Sequence, residues 1–133
     1  MGELRYGFEK RLAGATLEEA IEKVTAALKV EGFGILMDID VQDTLKKKLG
    51  VDFRRYRILG ACNPNLAHRA LGAEPQIGLL LPCNVVVQEA PGGGVVVSFA
   101  DPRSMFSLVD NAAVAPIAEE ADRRLRSVMA SLA

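Results

Sequence analysis

The chain has little of what metal and redox chemistry needs: two cysteines and one histidine in 133 residues. It has no excess of either charge, since sixteen Lys and Arg stand against seventeen Asp and Glu, a net charge of -1. That balance excludes a strongly basic nucleic-acid binder and an acidic disordered tail. Long apolar runs are missing as well. Runs such as Ile77–Leu81 and Val95–Val97 fall far short of the ~20 residues that cross a bilayer. The first residues, MGELRYGFEKRLAG, carry no apolar stretch behind a basic start, so no secretory signal is expected and the reading is cytoplasmic. No linker, repeat or low-complexity segment divides the sequence. What remains, 50% hydrophobic and 25% charged residues, describes one ordinary domain over residues 1–133 with a single core.

Periodicity supplies the elements. Leu4, Tyr6 and Phe8 alternate with Arg5, Gly7 and Glu9, predicting a half-buried strand over Leu4–Glu9 with the first three pointing inward. Thr16-Leu17-Glu18-Glu19 is a capping box, because Thr16 and Glu19 can each satisfy the other's backbone donor. Behind it Leu17, Ala20, Ile21, Val24, Ala27 and Leu28 form one apolar stripe, and Gly32 supplies the left-handed stop. A strand over Ile35–Ile39, a short helix over Val41–Leu49 ended by Gly50, and a strand over Phe53–Cys62 follow. Asn63-Pro64 opens a helix, since asparagine caps and proline at the first helical position loses no useful donor; it is expected to run to about Leu71 and stop at Gly72.

Ile77–Leu81 and Cys83–Glu89 read as strand material interrupted by Pro82, which cannot donate to a ladder and so marks an edge or a bulge. Ala90–Gly94 is a hairpin turn, with Val95–Phe99 as the returning strand. Asp101-Pro102 repeats the cap-plus-proline signature and starts a short helix through about Val109. The last helix carries Ile117, Ala121, Leu125, Val128 and Met129 on one stripe. Without the short helices the order is β-α-β-β-β-β-α. The expectation is an α+β fold: a mixed or antiparallel sheet with two long helices on one face.

Two Cys-Asn pairs, Cys62-Asn63 and Cys83-Asn84, stand at interruptions in the pattern, and His68 lies on the helix that Asn63 caps. If the strands holding the cysteines are neighbours, two thiols and an imidazole converge. A thiol before a helix N-terminus meets the positive end of the helix dipole, which favours the thiolate. A thiolate beside an imidazole is an activated nucleophile and a ligand for soft or borderline metals. Cys62, His68 and Cys83 are therefore the candidate metal ligands, and with Asn63 and Asn84 the candidate ligand-binding set. Against this, no Cys-x-x-Cys is present, only three ligands are on offer, and free cysteine is commonly buried as a small hydrophobe. A Cys62–Cys83 disulfide is disfavoured in a reducing cytoplasm.

From Asp43 to Arg57, six basic residues (Lys46, Lys47, Lys48, Arg54, Arg55 and Arg57) face two acids, Asp43 and Asp52. A sheet edge so charged could hold phosphate or an acidic partner. The footprint is nevertheless too narrow for a nucleic-acid interface, and lysines also serve to blunt strand edges. Asp38, Asp40 and Asp43 lack the spacing of a calcium loop. Gly92-Gly93-Gly94 lacks the Lys-Ser or Lys-Thr of a phosphate loop.

The words Leu49-Gly50-Val51-Asp52-Phe53, Tyr56-Arg57-Ile58-Leu59-Gly60-Ala61-Cys62-Asn63-Pro64 and Ile77-Gly78-Leu79-Leu80-Leu81-Pro82-Cys83-Asn84-Val85 resemble the domain of unknown function 302 family. The first strand, the capped helix and the Asp101-Pro102 turn extend that similarity over most of the chain. The resemblance implies a compact β-α-β(4)-α protein, broadly like a half-repeat of the TATA-box-binding protein, that forms homodimers. Fold similarity of that kind carries no DNA-binding implication, and no activity is established for the family. Three functions are then weighed: a homodimeric domain binding a metal or small ligand near Cys62, His68 and Cys83; an enzyme with Cys62 as nucleophile and His68 as base; and an interaction protein whose sheet edge pairs with its own copy.

Overall fold

The computed structural model describes residues 4–132. In chain order the elements are β1 (Gly7–Leu12), α1 (Leu17–Val30), β2 (Gly34–Asp40), α2 (Val41–Leu49), β3 (Tyr56–Cys62), α3 (Pro64–Ala73), a 3-10 segment (Pro75–Leu80), β4 (Cys83–Glu89), β5 (Val95–Ala100), α4 (Pro102–Phe106), a second 3-10 turn (Ala112–Val114) and α5 (Ala115–Ser131). The strands form one sheet in the order β1-β5-β4-β3-β2, and all four pairings are antiparallel. With the short helices set aside, this is the β-α-β(4)-α order expected from sequence.

Local chemistry explains most boundaries. The Thr16 hydroxyl accepts the Glu19 N–H at 3.1 Å while the Glu19 carboxylate accepts the Thr16 N–H at 2.9 Å, satisfying donors at the start of α1. The chain leaves α1 through Gly32 at φ +85°, and α2 ends at Gly50 at φ +67°, conformations that cost glycine no Cβ clash. The β4–β5 turn closes by Gly93 N–H to the Ala90 carbonyl at 2.9 Å and Ala90 N–H to the Gly94 carbonyl at 3.0 Å.

One apolar core results. Leu17, Ala20, Val24 and Leu28 of α1 and Ile117, Ala121, Leu125 and Val128 of α5 pack against Phe8, Leu12, Leu59, Ala61, Val85, Val87, Val95, Val97 and Phe99 of the sheet. Each fully buried leucine or valine contributes about 1.5–3 kcal/mol relative to exposure. At one end of the sheet Asp122, 6% exposed, pairs with Arg126 at 3.1 Å and Arg103 at 3.4 Å. Arg126 also reaches Asp101 at 3.5 Å and lies 4.2 Å above the Phe8 ring. This two-by-two cluster neutralises its own charges and joins α5 to the start of α4.

Several expectations need correction. The first strand starts at Gly7 and continues to Leu12, so Tyr6 lies outside it and is 66% exposed; the apolar frame is Phe8 and Leu12. Leu12 lies close to Gly14, and the alternation upstream is the stronger sequence pattern. Ile77–Leu81 is not strand: Pro75–Leu80 forms a 3-10 segment, for which Pro75 supplies the preset φ of a first turn, and Ile77 alone is buried in it. Pro82 marks neither an edge nor a bulge. It follows Leu81 through a cis peptide bond and stands immediately before β4, an interior strand, where its position outside the strand removes no ladder donor. The strand expected from Phe53 begins at Tyr56, and the helix expected through Val109 ends at Phe106.

The basic segment is not on a sheet edge either, because β3 lies between β2 and β4. Lys46 pairs with Asp52 at 3.0 Å and Lys47 with Asp43 at 2.9 Å. Arg55 pairs with Glu18, and Arg57 forks onto Asp38. Arg54 donates to Gln88 at 2.9 Å and stacks 4.6 Å over Phe53. Acids outside the segment, Glu18 and Asp38, thus answer the local surplus, and Arg55 holds the Glu18 carboxyl below its usual range.

Candidate functional site

Antiparallel pairing of β3 with β4 sets Ala61 opposite Cys83, which puts Cys62 one residue away along the neighbouring strand. The chain then turns into α3. Asn63 caps that helix by accepting the Leu66 N–H at 3.2 Å, and its amide donates to the Glu31 carbonyl at 3.3 Å, tying the start of α3 to the end of α1. Leu66 and Ala70, four residues apart on α3, are buried.

Between α3 and the ends of these strands lies a cavity of about 300 Å³. Ala61, Cys62 and Cys83 form its sheet wall; Leu66, Ala67, Ala70 and Leu71 its helical wall; Gly78, Leu81 and Pro82 the 3-10 side; Phe106, Ile117 and Ala121 its deep wall; and Phe33, Leu36 and Asn63 complete the lining. The space persists because small residues, Ala67, Ala70 and Ala121, stand where larger ones would fill it. Among the described residues, two thiols are the only ionisable groups in the lining, and both polar ends of Asn63 are already engaged. Such a wall offers ordered water few partners and favours an apolar guest.

Of the residues singled out from sequence, the structure gathers Cys62, Asn63 and Cys83 in this lining. His68 is exposed on α3 and is not in the lining. Asn84, exposed on β4, instead borders a shallow depression with Tyr6 and Val86. No imidazole therefore stands beside Cys62 as the nucleophile reading requires. Among the described residues no group of three or more His, Cys, Asp or Glu is close enough to hold a metal ion. The reason is the helix phase: His68 lies five residues past Asn63, two past the buried Leu66, and that angle turns it to solvent. Sequence reasoning missed the apolar walls, above all Leu81, Phe106 and Ile117. The Leu66/Ala70 spacing signals one buried helical face, but nothing local shows that the space opposite is unfilled.

Both cysteines are free thiols. Burial, and then the neighbouring Cys62, push the Cys83 thiol up to about 11. An unfolded cysteine titrates near ~8.5. Between those values the unfolded chain gives up this proton and the folded chain keeps it. Stability from this group is therefore full below pH ~8.5 and falls as pH rises towards 11. Wild type should lose about 2–3 kcal/mol more than Cys83→Ala across that window in urea unfolding. Parallel pH profiles for the two proteins would refute the assignment.

The family model described as "Domain of unknown function DUF302" matches residues 8–132. Among solved structures, an uncharacterised conserved DUF302 protein from Bacillus stearothermophilus superposes with a TM-score of 0.86 at 29% identity, covering 94% of this chain and 96% of that one. No curated protein matches the chain.

Proposed function

Since the chain belongs to the DUF302 family, whose activity is not established, the cavity must carry the functional reading, and we propose that the protein binds a small, uncharged, largely apolar molecule there. The observation that carries this is the lining: about 300 Å³ of space with, among the described residues, no carboxylate, ammonium, guanidinium or imidazole in its wall. Ligand sites of small molecules begin at about that size. A charged guest would lose its hydration and gain no counter-charge. The same argument weighs against a hard metal ion. The two free thiols suit a reducing compartment such as the cytoplasm, and among the described residues no helix is long and apolar enough to cross a membrane.

The test uses 2-octanone as an uncharged probe and Ala67→Trp as a block, because Ala67 lines the cavity from a half-buried position on α3. Calorimetry is expected to give 1:1 binding with Kd on the order of 0.1 mM for wild type. Ala67→Trp, still folded by circular dichroism, should show none. Equal affinity in the two proteins, or no binding by wild type, would reject the reading.

A second reading, homodimerisation, rests on β2. This edge strand exposes Leu36, Met37 and Ile39 at 66%, 44% and 42%, an apolar edge of the kind that soluble proteins pair or cover. The mass in solution by sedimentation equilibrium decides it: twice the chain mass supports pairing, and the single mass rejects it.

A further inference from the structure

We infer that Cys62 forms a covalent bond with α,β-unsaturated carbonyl compounds that are uncharged and apolar enough to enter the cavity. The inference rests on the binding reading above and extends it to the class of ligand. The guest's surroundings are mostly hydrocarbon, with two sulfur atoms and the engaged Asn63 amide, and among the described residues sulfur is the only nucleophile that the wall presents. A soft carbon electrophile is the natural partner of a thiol. Addition to an uncharged enone or enal also leaves an uncharged thioether, so the cavity never has to hold a net charge in the product.

The step balances without a further reagent. Cys62 gives up its S–H proton to water, and the sulfur pair attacks the β-carbon. The C=C π pair moves onto the carbonyl as an enolate, which takes a proton back at the α-carbon. One S–C bond and one C–H bond form; one S–H bond and one π bond are lost.

Position separates the two thiols. Cys83 faces the Ala61 pairing site on an interior strand and is held protonated well above neutral pH, so its nucleophilic form is scarce. Cys62 ends β3, where the chain leaves the sheet for α3, and is paired only with Gly34 of the edge strand. The opening beside it is rimmed by Leu36 and Leu71, exposed leucines that also line the cavity.

The experiment compares two maleimides of the same reactivity and length, N-hexylmaleimide and 6-maleimidohexanoate, on the intact reduced protein. Mercaptoethanol provides the reference rates. Relative to that reference, the uncharged reagent is expected to be favoured by at least about ten-fold. The adduct should map to Cys62, persist in Cys83→Ala, and disappear from the cavity in Cys62→Ser. A rate ratio equal to that of mercaptoethanol, or an adduct that maps to Cys83, overturns the inference. If 2-octanone still binds when labelling is unselective, only the covalent step falls. If neither occurs, the binding reading falls with it.

Discussion

Phe99→Ala should cost about 3–5 kcal/mol of folding stability, the upper range for truncating one side chain in a packed core. Phe99 is 1% exposed, lies on β5 opposite Phe8 of β1 and Val85 of β4, and stacks on the Phe8 ring at 5.3 Å between centroids. Removing the ring forfeits its transfer energy and leaves a void that the neighbouring strands cannot close without breaking their pairing. Tyr6→Ala is the internal control. Tyr6 precedes Phe8 by two positions in the alternating pattern yet is exposed, so its truncation should stay within about 0.5 kcal/mol. Urea unfolding of both variants checks the frame of β1. Comparable losses would mean that Tyr6 is packed in the core beside Phe8 and not exposed.

Asn63→Ala follows, with an expected loss of about 2–3 kcal/mol. The side chain does two jobs at once, capping α3 through the Leu66 N–H and holding the Glu31 carbonyl at the end of α1. Arg124 also donates to that carbonyl at 3.2 Å, so the carbonyl is not orphaned and the loss stops short of a buried unsatisfied group. Asn63→Ser keeps the cap and drops the second bond, so it should recover about half of the deficit. The approach is close from the other side too: a Cβ at Gly32 would lie 2.9 Å from the Asn63 amide nitrogen. A loss below about 0.5 kcal/mol for Asn63→Ala would show that α3 is positioned by packing alone.

These residues mark what can be read from the chain and what cannot. Elements with a chemical start and stop are legible: Thr16 and Glu19 at the head of α1, Gly32 and Gly50 as left-handed exits, Asn63-Pro64 at the head of α3. Their chemistry lies within four residues, so no tertiary knowledge is needed. Segments decided by packing are not. Ile77–Leu81 is apolar because Ile77 anchors a 3-10 segment against the core, and a short apolar run carries no period that separates this from a strand. Likewise Cys62, Asn63 and Cys83 are legible as a neighbourhood from their two Cys-Asn words, while His68 is drawn in by sequence proximity and excluded by helix phase. The cavity is invisible in the sequence, because empty space is a relation among α3, α5, the 3-10 segment and the sheet that no local pattern encodes.

That relation also gives the site its order of construction. Pairing of β3 with β4 brings the thiols together, the Asn63 cap sets the angle of α3 over them, and alanines on α3 and α5 keep the space open. Each layer rests on the previous one, so the stability variants and the binding variants test different links of a single chain of causes.

Methyl-resolved NMR of wild type titrated with 2-octanone asks directly whether the cavity takes up an apolar guest. Saturable shifts are expected at the methyls of Leu66, Ala70, Leu81 and Ile117, which line the cavity, with Ile39 and Leu108, exposed elsewhere, unmoved. Shifts centred on Ile39 or Leu108, or none at the cavity methyls, would contradict binding at this site.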